Sequence, residues 1–441
     1  MHVVVVGAGL AGCEAAWQAA KRGLDVTLVE MKPVRFSAAH RSPDLAELVC
    51  SNSLRSNQLG NAAGLLKQEM RRLDSLVLAA ADEAAVPAGR ALAVDRVAFA
   101  RRITDTLESH PRVSLRREVV TRIPEAPLVI LATGPLTDAE LARDLQALLG
   151  DAYLYFYDAL SPILYADSID CDVAFRASRY EEGEGDYLNL PLTRAQYDAF
   201  VDALLAAETV PLHACEADLY FEGCLPIEEM ARRGRETLAY GPMKPVGLID
   251  PRSGSRPHAV VQLRQEDKQG LLYSMVGFQT KLRVPAQKRI FRELPGAAGA
   301  VFARFGSVHR NTYLNAPRHL TAELEVAKRP GLFVAGQMAG VEGYIESAAL
   351  GLLAGIHVAF RARGLAAPLA PAETAHGALL RHLREADARG FEPMNVNYGL
   401  FPPLSPAPVR LRRRARNEQL AARALEALEP FVERCAAGAE S

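Results

Sequence analysis

The sequence has little of what would place a protein outside the cell or in a membrane. Its 441 residues include six cysteines, none with CxxC or CxxxxC spacing, and sparse, unpatterned thiols are typical of a reducing compartment. The residues after Met1 carry no basic flank and do not resemble a signal peptide. The apolar stretch 351–360 is too short to cross a bilayer. These absences predict a soluble, cytoplasmic protein that does not associate with a membrane.

The sequence also lacks an excess of either charge. Its 51 basic and 52 acidic side chains leave a formal net charge of -1, which excludes a globally basic nucleic-acid binder but allows a local basic patch. Hydrophobic residues make up 49% and charged residues 23%, the balance of a globular protein with a sizeable core. At this length we expect two or three domains.

The beginning of the chain is typical of a βαβ unit that binds a dinucleotide. A β-branched strand, His2–Val6, leads into the glycine turn GAGLAG (Gly7–Gly12). A helix over Cys13–Lys21 and a second strand, Asp25–Glu30, follow. A GxGxxG turn between a strand and a helix has the context that gives the motif its mechanism.

The glycine turn predicts how the cofactor is contacted. Gly7 suits a tight turn, Gly9 lets the backbone approach a pyrophosphate, and Gly12 permits close helix–strand packing. Amide donors at the helix N-terminus would face the phosphates, and Glu30 is placed to accept hydrogen bonds from ribose hydroxyls. The predicted cofactor-binding residues here are Gly7, Ala8, Gly9, Leu10, Ala11, Gly12 and Glu30. A purely structural glycine turn is the alternative.

Later glycine turns favour FAD over a nicotinamide dinucleotide as the resident cofactor. A nicotinamide domain is usually complete in one stretch, whereas VILATGP (Val129–Pro135) and LFVAGQMAG (Leu332–Gly340) flank a long insertion. Gly134 and Gly336 in these turns are predicted to bind the cofactor, Gly336 where the backbone passes the flavin phosphate or ribityl chain. NADH or NADPH would bind only transiently, because no second GxGxxG follows a strand.

The predicted fold class is α/β: a two-piece Rossmann-type FAD-binding domain with an inserted α+β domain. Residues 62–78 carry apolar side chains at helical spacing. After about residue 150 the chain becomes rich in tyrosine and strand-like runs. Near Gly331 the pattern of the N-terminal part, a buried strand followed by a glycine turn and a helix, appears again. We expect the first part of the FAD-binding domain at 1–165, the inserted domain at 166–325, and the second part at 326–441, ending in a basic helical segment.

Two cysteines have settings that suit chemistry. Cys224 stands just before a predicted helix with Pro226 at its first position and Gly234 at its end. A helix N-terminus stabilises a thiolate, so Cys224 is predicted to be a nucleophile rather than a packing residue. Cys50 ends the strand-like ELVC and opens the polar turn CSNSLRSN. Catalytic and packing roles are equally compatible with Cys50.

The sequence resembles the folate- and FAD-dependent tRNA (uracil-5)-methyltransferases from its first strand to about Leu404. The segments that carry the resemblance are GAGLAGCEAAW (Gly7–Trp17), VCSNSLRSN (Val49–Asn57), GLLKQEMRRLDSLV (Gly64–Val77), VPAGRALAVDR (Val86–Arg96), GPMKPVGLIDPR (Gly241–Arg252), VQLRQEDKQG (Val261–Gly270), HRNTYLNAP (His309–Pro317) and GVEGYIESAALG (Gly340–Gly351).

The resemblance implies the reaction and the partners. Enzymes of this family make ribothymidine in the T-loop of tRNA, using 5,10-methylenetetrahydrofolate as carbon donor and FAD reduced by NADH or NADPH. By the resemblance, Cys224 is the thiolate that adds to uracil carbon 6, and Cys50 is a second functional cysteine near the flavin. Tyr344 would stack beside the flavin or folate ring, and His309 and Arg310 would bind the folate, unless these three residues are structural. No protein partner is implied.

Two basic runs suit tRNA phosphates, although a solvated charged face explains them equally well. They consist of Lys281, Arg283, Lys288 and Arg289, and of Arg410, Arg412, Arg413, Arg414 and Arg416.

Three other functions stay open at this point. One is another FAD-dependent tRNA uridine-modifying enzyme of the same superfamily, but that kind carries a long helical C-terminal extension. Another is a small-molecule flavin oxidoreductase, which would not need Cys224. The last is a tRNA-binding module without catalysis, in which the flavin has only a structural role.

Overall fold

The computed structural model describes residues 1–150, 154–180, 183, 185–211, 225–405 and 411–437. The first of these segments forms β1 (His2–Val6), α1 (Leu10–Lys21), β2 (Asp25–Glu30), β3 (Ser53–Ser56), α2 (Ala62–Arg72), α3 (Leu76–Glu83), β4 (Ala85–Val86), β5 (Ala91–Val94), α4 (Arg96–Glu108), β6 (Val113–Arg117), β7 (Val129–Leu131) and α5 (Ala139–Leu149). The middle of the chain forms β8 (Leu154–Ala159), β9 (Ile163–Tyr165), β10 (Phe175–Arg176), β11 (Tyr187–Leu192), α6 (Arg194–Leu205), α7 (Ile227–Arg232), α8 (Thr237–Tyr240), β12 (Ala259–Gln265), β13 (Leu272–Met275), α9 (Val284–Arg292) and β14 (Phe302–Arg304). The remainder forms β15 (Val308–Tyr313), α10 (Ala316–His319), β16 (Leu332–Val334), α11 (Tyr344–Ala362), α12 (Ala375–Glu385) and α13 (Arg413–Ala437).

A five-stranded parallel sheet forms the first core. Its strand order is β16-β7-β1-β2-β6, and Val4 on β1 pairs with Thr27 on β2 and with Val129 on β7. Val3 and Val5 are fully buried, as expected for a short β-branched strand inside a parallel sheet. Because β16 comes from far along the chain, this domain is assembled from two separate pieces.

Helix α11 packs tightly against α1 through glycine. A side chain at Gly351 would overlap the backbone of Ala11, and a Cβ at Gly355 would lie 2.5 Å from the Ala15 carbonyl oxygen. This contact holds the second piece of the chain against the first, beside the glycine turn. α11 is also long and apolar enough to cross a membrane, but 83% of its most apolar 18-residue window is buried inside the protein, which is the burial of a core helix.

The inserted part builds a second core around an antiparallel sheet. The strand order is β10-β11-β12-β13-β9-β14, and the central strand β12 is buried along nearly its whole length. Tyr197, Phe278 and Phe291 belong to the same apolar cluster, in which the rings of Phe278 and Phe291 meet edge-on with centroids 5.8 Å apart. A separate two-stranded ladder pairs β8 with β15.

One predicted helix is two helices. The apolar spacing over residues 62–78 predicts a continuous helix, but α2 and α3 are separate. Asp74 between them adopts a left-handed backbone with φ +58°. The Ser75 side chain caps α3 by accepting from the backbone N–H of Leu78 at 3.2 Å, and the buried carboxylate of Glu14 accepts from Ser75 Oγ at 2.7 Å. The break therefore depends on a contact with α1.

Candidate functional site

A cleft opens at the carboxyl ends of the parallel strands, where ligands of open α/β sheets bind. It brings together residues from four separate stretches of sequence. The predicted cofactor-binding residues that line it are Gly7, Gly9, Leu10, Ala11, Glu30, Gly134, Gly336 and Tyr344. Ala8 and Gly12 do not line the cleft but contact residues that do: Ala8 donates to Glu30, and Gly12 packs against Gly7.

Glycine occupies the three motif positions, 7, 9 and 12, for different structural reasons. Gly7 has φ +93°, and a Cβ there would lie 2.6 Å from the Ala132 carbonyl oxygen. A side chain at Gly12 would overlap the Gly7 carbonyl, so Gly12 serves helix–strand packing. Gly9 has an ordinary φ of −73°, and a Cβ built on it meets no heavy atom of the described residues within 4 Å. Because neither packing nor backbone strain requires glycine at position 9, the cleft side of that residue is the one left for a ligand.

Glu30 lies under the turn rather than free in the cleft. Its side chain is buried, with Oε2 accepting from the backbone N–H of Ala8 at 2.8 Å and Oε1 from that of Lys32 at 3.0 Å. An ionised carboxylate has about four acceptor positions. The two backbone bonds therefore orient Glu30 and leave it able to accept from a ribose.

The later glycines complete the wall of the cleft. Gly336 has φ +78°, and a Cβ there would lie 2.8 Å from the Ala11 side chain. Gly134 has φ +69°. The pattern of glycines along the sequence did not reveal the rest of the lining, which includes Lys32, His40 and Asp138. Lys32 lies two residues after the end of β2 and Asp138 is the N-cap of α5, positions that the sequence could have indicated, whereas no local signal marks His40.

An ion pair beside this cleft joins the segment after β2 to the start of α5. Arg35 follows β2, and its guanidinium donates to the carboxylate of Asp138, the residue that caps α5. Asp138 lines the cleft together with Met31 and Lys32. The Arg35 side chain is about half exposed, so the pair lies at the mouth of the cleft.

Cys50 is connected to the wall of the cleft by a backbone hydrogen bond. Residues 47–49 are irregular and not the predicted strand. The backbone N–H of Cys50 donates to the hydroxyl of Tyr344 at 2.7 Å, and both Val49 and Tyr344 line the cleft. Burial, with a smaller contribution from Asp158, raises the pKa of the Cys50 thiol to about 12. The sulfur is therefore protonated at neutral pH in this arrangement.

His309 also approaches this region. It lies on β15 opposite Asp158, with its Nε2 3.0 Å from the hydroxyl of Ser307. Burial, followed by the charge of Arg304, lowers the pKa of His309. Burial, followed by the charge of Lys32, lowers the pKa of His40 on the cleft wall, with a smaller contribution from His309. Arg310 follows on the same strand, opposite Tyr157, and its side chain lies outside the described part.

Cys224 lies outside the described residues, and the structure describes only the helix that follows it. That helix, α7, begins at Ile227, with Pro226 as its N-cap rather than its first residue. The buried carboxylate of Glu228 in its first turn accepts from Thr280 Oγ1 at 2.9 Å and from the backbone N–H of Lys281 at 2.7 Å. The start of α7 is thus tied firmly to the segment before α9.

The two basic runs differ in what they offer to a nucleic acid. Lys281 is buried and pairs with Glu229 at 2.8 Å, so it is unsuited to phosphate contact. Lys288 is exposed and lies 5.4 Å from the centre of the Phe305 ring. In the C-terminal run the described arginines are exposed, with Arg414 paired to Glu418 at 2.9 Å.

The parallel sheet, the glycine turn and the returning β16–α11 unit define the class: a two-piece Rossmann-type dinucleotide-binding protein with an inserted α+β domain, which confirms the predicted fold class. The family described as glucose inhibited division protein A matches residues 2–366. The solved structure of Aquifex aeolicus GidA covers 100% of this chain, and this chain covers 74% of it, with a TM-score of 0.70 at 17% identity. That likeness concerns the fold alone.

Relatives of known name are much closer in sequence. The methylenetetrahydrofolate–tRNA-(uracil-5-)-methyltransferase TrmFO of Citrifermentans bemidjiense is 56% identical over 432 residues, and that of Geobacter sulfurreducens is 55% identical over 431. Each alignment covers 98% of this chain and 98% of the relative. The chain belongs to the methylenetetrahydrofolate–tRNA-(uracil-5-)-methyltransferase family, as its motifs predict.

Proposed function

We propose that this protein methylates carbon 5 of the T-loop uridine in cytoplasmic tRNA, using 5,10-methylenetetrahydrofolate as the carbon donor and FAD reduced by NADH or NADPH. The observation that carries the proposal is the hydrogen bond from the backbone N–H of Cys50 to Tyr344 on the wall of the dinucleotide cleft, at the position where the family resemblance implies a second functional cysteine. Relatives that share more than half of their residues with this chain bear the name of that activity, which supports the same conclusion.

The residues of the cleft fit FAD. Gly9 leaves room for a pyrophosphate beside the N-terminus of α1, where helix amides lack intrahelical partners. The fixed carboxylate of Glu30 would accept from the ribose, while Gly134, Gly336 and Tyr344 would contact the remaining length of the cofactor. Reduced FAD supplies the electrons that convert a methylene carbon into a methyl group.

The chain itself supplies the activation of the uracil. Carbon 5 of uracil is a weak nucleophile until a thiolate adds at carbon 6. We assign that addition to Cys224: a sulfur–carbon bond forms, and the electron pair of the 5,6 double bond moves to carbon 5, which can then accept the one-carbon unit. Loss of the carbon 5 proton expels the thiolate and restores the double bond. His309 and Arg310 are proposed to contact the folate.

The direct test combines protein, NADH, carbon-labelled methylenetetrahydrofolate and unmodified tRNA, followed by nucleoside analysis. We expect label in 5-methyluridine at the T-loop position. Label arriving instead from S-adenosylmethionine would contradict the proposal. Oxidation of NADH with no labelled nucleoside would favour a small-molecule oxidoreductase, and label in an anticodon uridine would favour the other tRNA-modifying class.

Replacing Arg35 with alanine is expected to speed release of bound FAD without preventing its binding. The ion pair to Asp138 at the cleft mouth is partly exposed, and such pairs contribute about 0.2–1 kcal/mol, or roughly a one- to fivefold change in rate. Release can be followed by the rise in flavin fluorescence after dilution. Arg41→Ala, at an exposed position on the same loop, is the control. Equal release rates for the two variants would show that the pair does not retain the cofactor.

A further inference from the structure

Two arginines from different parts of the fold converge on the carbonyl oxygen of Cys50. Arg96, the first residue of α4, donates to it from Nη2 at 2.9 Å and to the carbonyl of Leu48 from Nη1 at 2.6 Å. Arg304, the last residue of β14, donates from Nη2 at 2.8 Å and to the carbonyl of Val49 from Nη1 at 2.7 Å. We call Arg96 and Arg304 the arginine clamp.

Both residues of the arginine clamp are connected to the inserted sheet, since Arg304 belongs to β14 and Arg96 pairs with Glu266 after β12. Arg96 Nε donates to Glu266 Oε2 at 2.5 Å, and the Glu266 side chain is almost completely buried. Arg264 on β12 extends the same connection, donating to Ser51 Oγ at 2.6 Å and to Asn52 Oδ1 at 2.8 Å. The backbone around Cys50 is therefore held by side chains of the inserted part as well as by α4 of the dinucleotide-binding part.

Charged groups of both signs face the thiol. Burial is the largest influence on the pKa of Cys50 and raises it, as do Asp158 on β8 and Glu342 before α11, whereas Arg304 and Arg96 lower it. Tyr344 binds the amide of the same residue. Placing two guanidinium groups on one partly buried carbonyl carries a desolvation cost, and a neutral donor would satisfy that carbonyl equally well. The use of two cations therefore needs a reason beyond satisfying a hydrogen bond.

We propose that Arg96 and Arg304 are positioning residues for Cys50, which fix its backbone beside the cleft and place one cation from each domain near its sulfur. This inference rests on the proposed function and on the second functional cysteine that the family resemblance implies at position 50. It means that the reactivity of Cys50 depends on the inserted domain being seated against the dinucleotide-binding domain.

The test measures alkylation of Cys50 by iodoacetamide in the flavin-loaded protein over a series of pH values, with the Cys50 peptide quantified by mass spectrometry. Arg96→Gln removes a neighbouring cation, so the thiol pKa rises and alkylation at a fixed pH below that pKa should slow about tenfold, the effect of one pKa unit. Arg304→Gln should act in the same direction. Glu266→Gln removes the counter-charge of Arg96 and should shift the pH profile downward, which speeds alkylation.

The opposite signs separate positioning from mere loosening of the structure. A loosened site would expose Cys50 and speed alkylation in every variant. Arg101→Gln, at an exposed position on α4, should match the original protein. If Arg96→Gln fails to fold, Arg304→Gln and Glu266→Gln decide the matter. Unchanged pH profiles in both would overturn the inference, and they would do so whether or not the protein methylates tRNA, because alkylation needs no substrate.

Discussion

Alanine at position 224 is expected to abolish methylation of a T-loop RNA while leaving the flavin bound. In the proposed mechanism the thiolate is what saturates carbon 6, so without it carbon 5 should stay too weak a nucleophile to accept the one-carbon unit. Loss of a residue that forms a covalent intermediate commonly lowers turnover by about 10³-fold or more. The described cleft residues all lie elsewhere in the sequence, so cofactor binding should not change.

The measurement is 5-methyluridine formed per protein, together with the visible flavin spectrum of the same sample. Cys171→Ala is the matched control, because Cys171 is an exposed free cysteine of the inserted part, and it should keep full activity. Full methylation by the Cys224→Ala protein would remove Cys224 from the mechanism. Loss of both methylation and flavin would show that position 224 serves the structure instead.

Valine at position 9 is expected to yield a folded protein that no longer holds flavin. A Cβ at Gly9 meets no described heavy atom within 4 Å, and the backbone there is ordinary for any residue. The fold should therefore lose only about 1 kcal/mol, the cost of a poorer helix N-cap. A valine side chain would instead fill the space beside the helix amides. Losing two hydrogen bonds to a charged phosphate costs about 3–6 kcal/mol, so FAD binding should weaken about 10²- to 10⁴-fold.

Flavin content after gel filtration and thermal unfolding of the flavin-free proteins check this expectation. Gly390→Val is the matched control, since Gly390 is exposed and its Cβ position is likewise open among the described residues. It should keep its flavin. A Gly9→Val protein that retains stoichiometric FAD would show that the cofactor does not pass this turn. Unfolding of the variant at ordinary temperature would show instead that Gly9 has a packing role.

Local pattern was sufficient for the dinucleotide-binding unit. The strand β1, the glycine turn and the helix α1 are contiguous, and their period, turn chemistry and cap positions all agree. The same holds for Glu30, which is placed by the length of α1 and β2 alone. The family, too, could be predicted from contiguous motifs, because each of them is a short stretch read in order.

Contacts between distant residues decided the rest. ELVC looks like a strand, yet its carbonyls bind Arg96 and Arg304 in place of a neighbouring strand. Lys281 belongs to a basic run, yet it lies buried against Glu229.

By itself, the sequence determined the glycine turn, the parallel strands and the family, because these depend on neighbours along the chain. Only the tertiary structure decided where Cys50 lies, which cations surround it and which charges are buried. Those depend on the free energy of hydrogen bonds and ion pairs between segments far apart in the sequence, from 46 residues for Arg96 and Cys50 to 254 for Arg304 and Cys50, which no periodicity of the chain encodes.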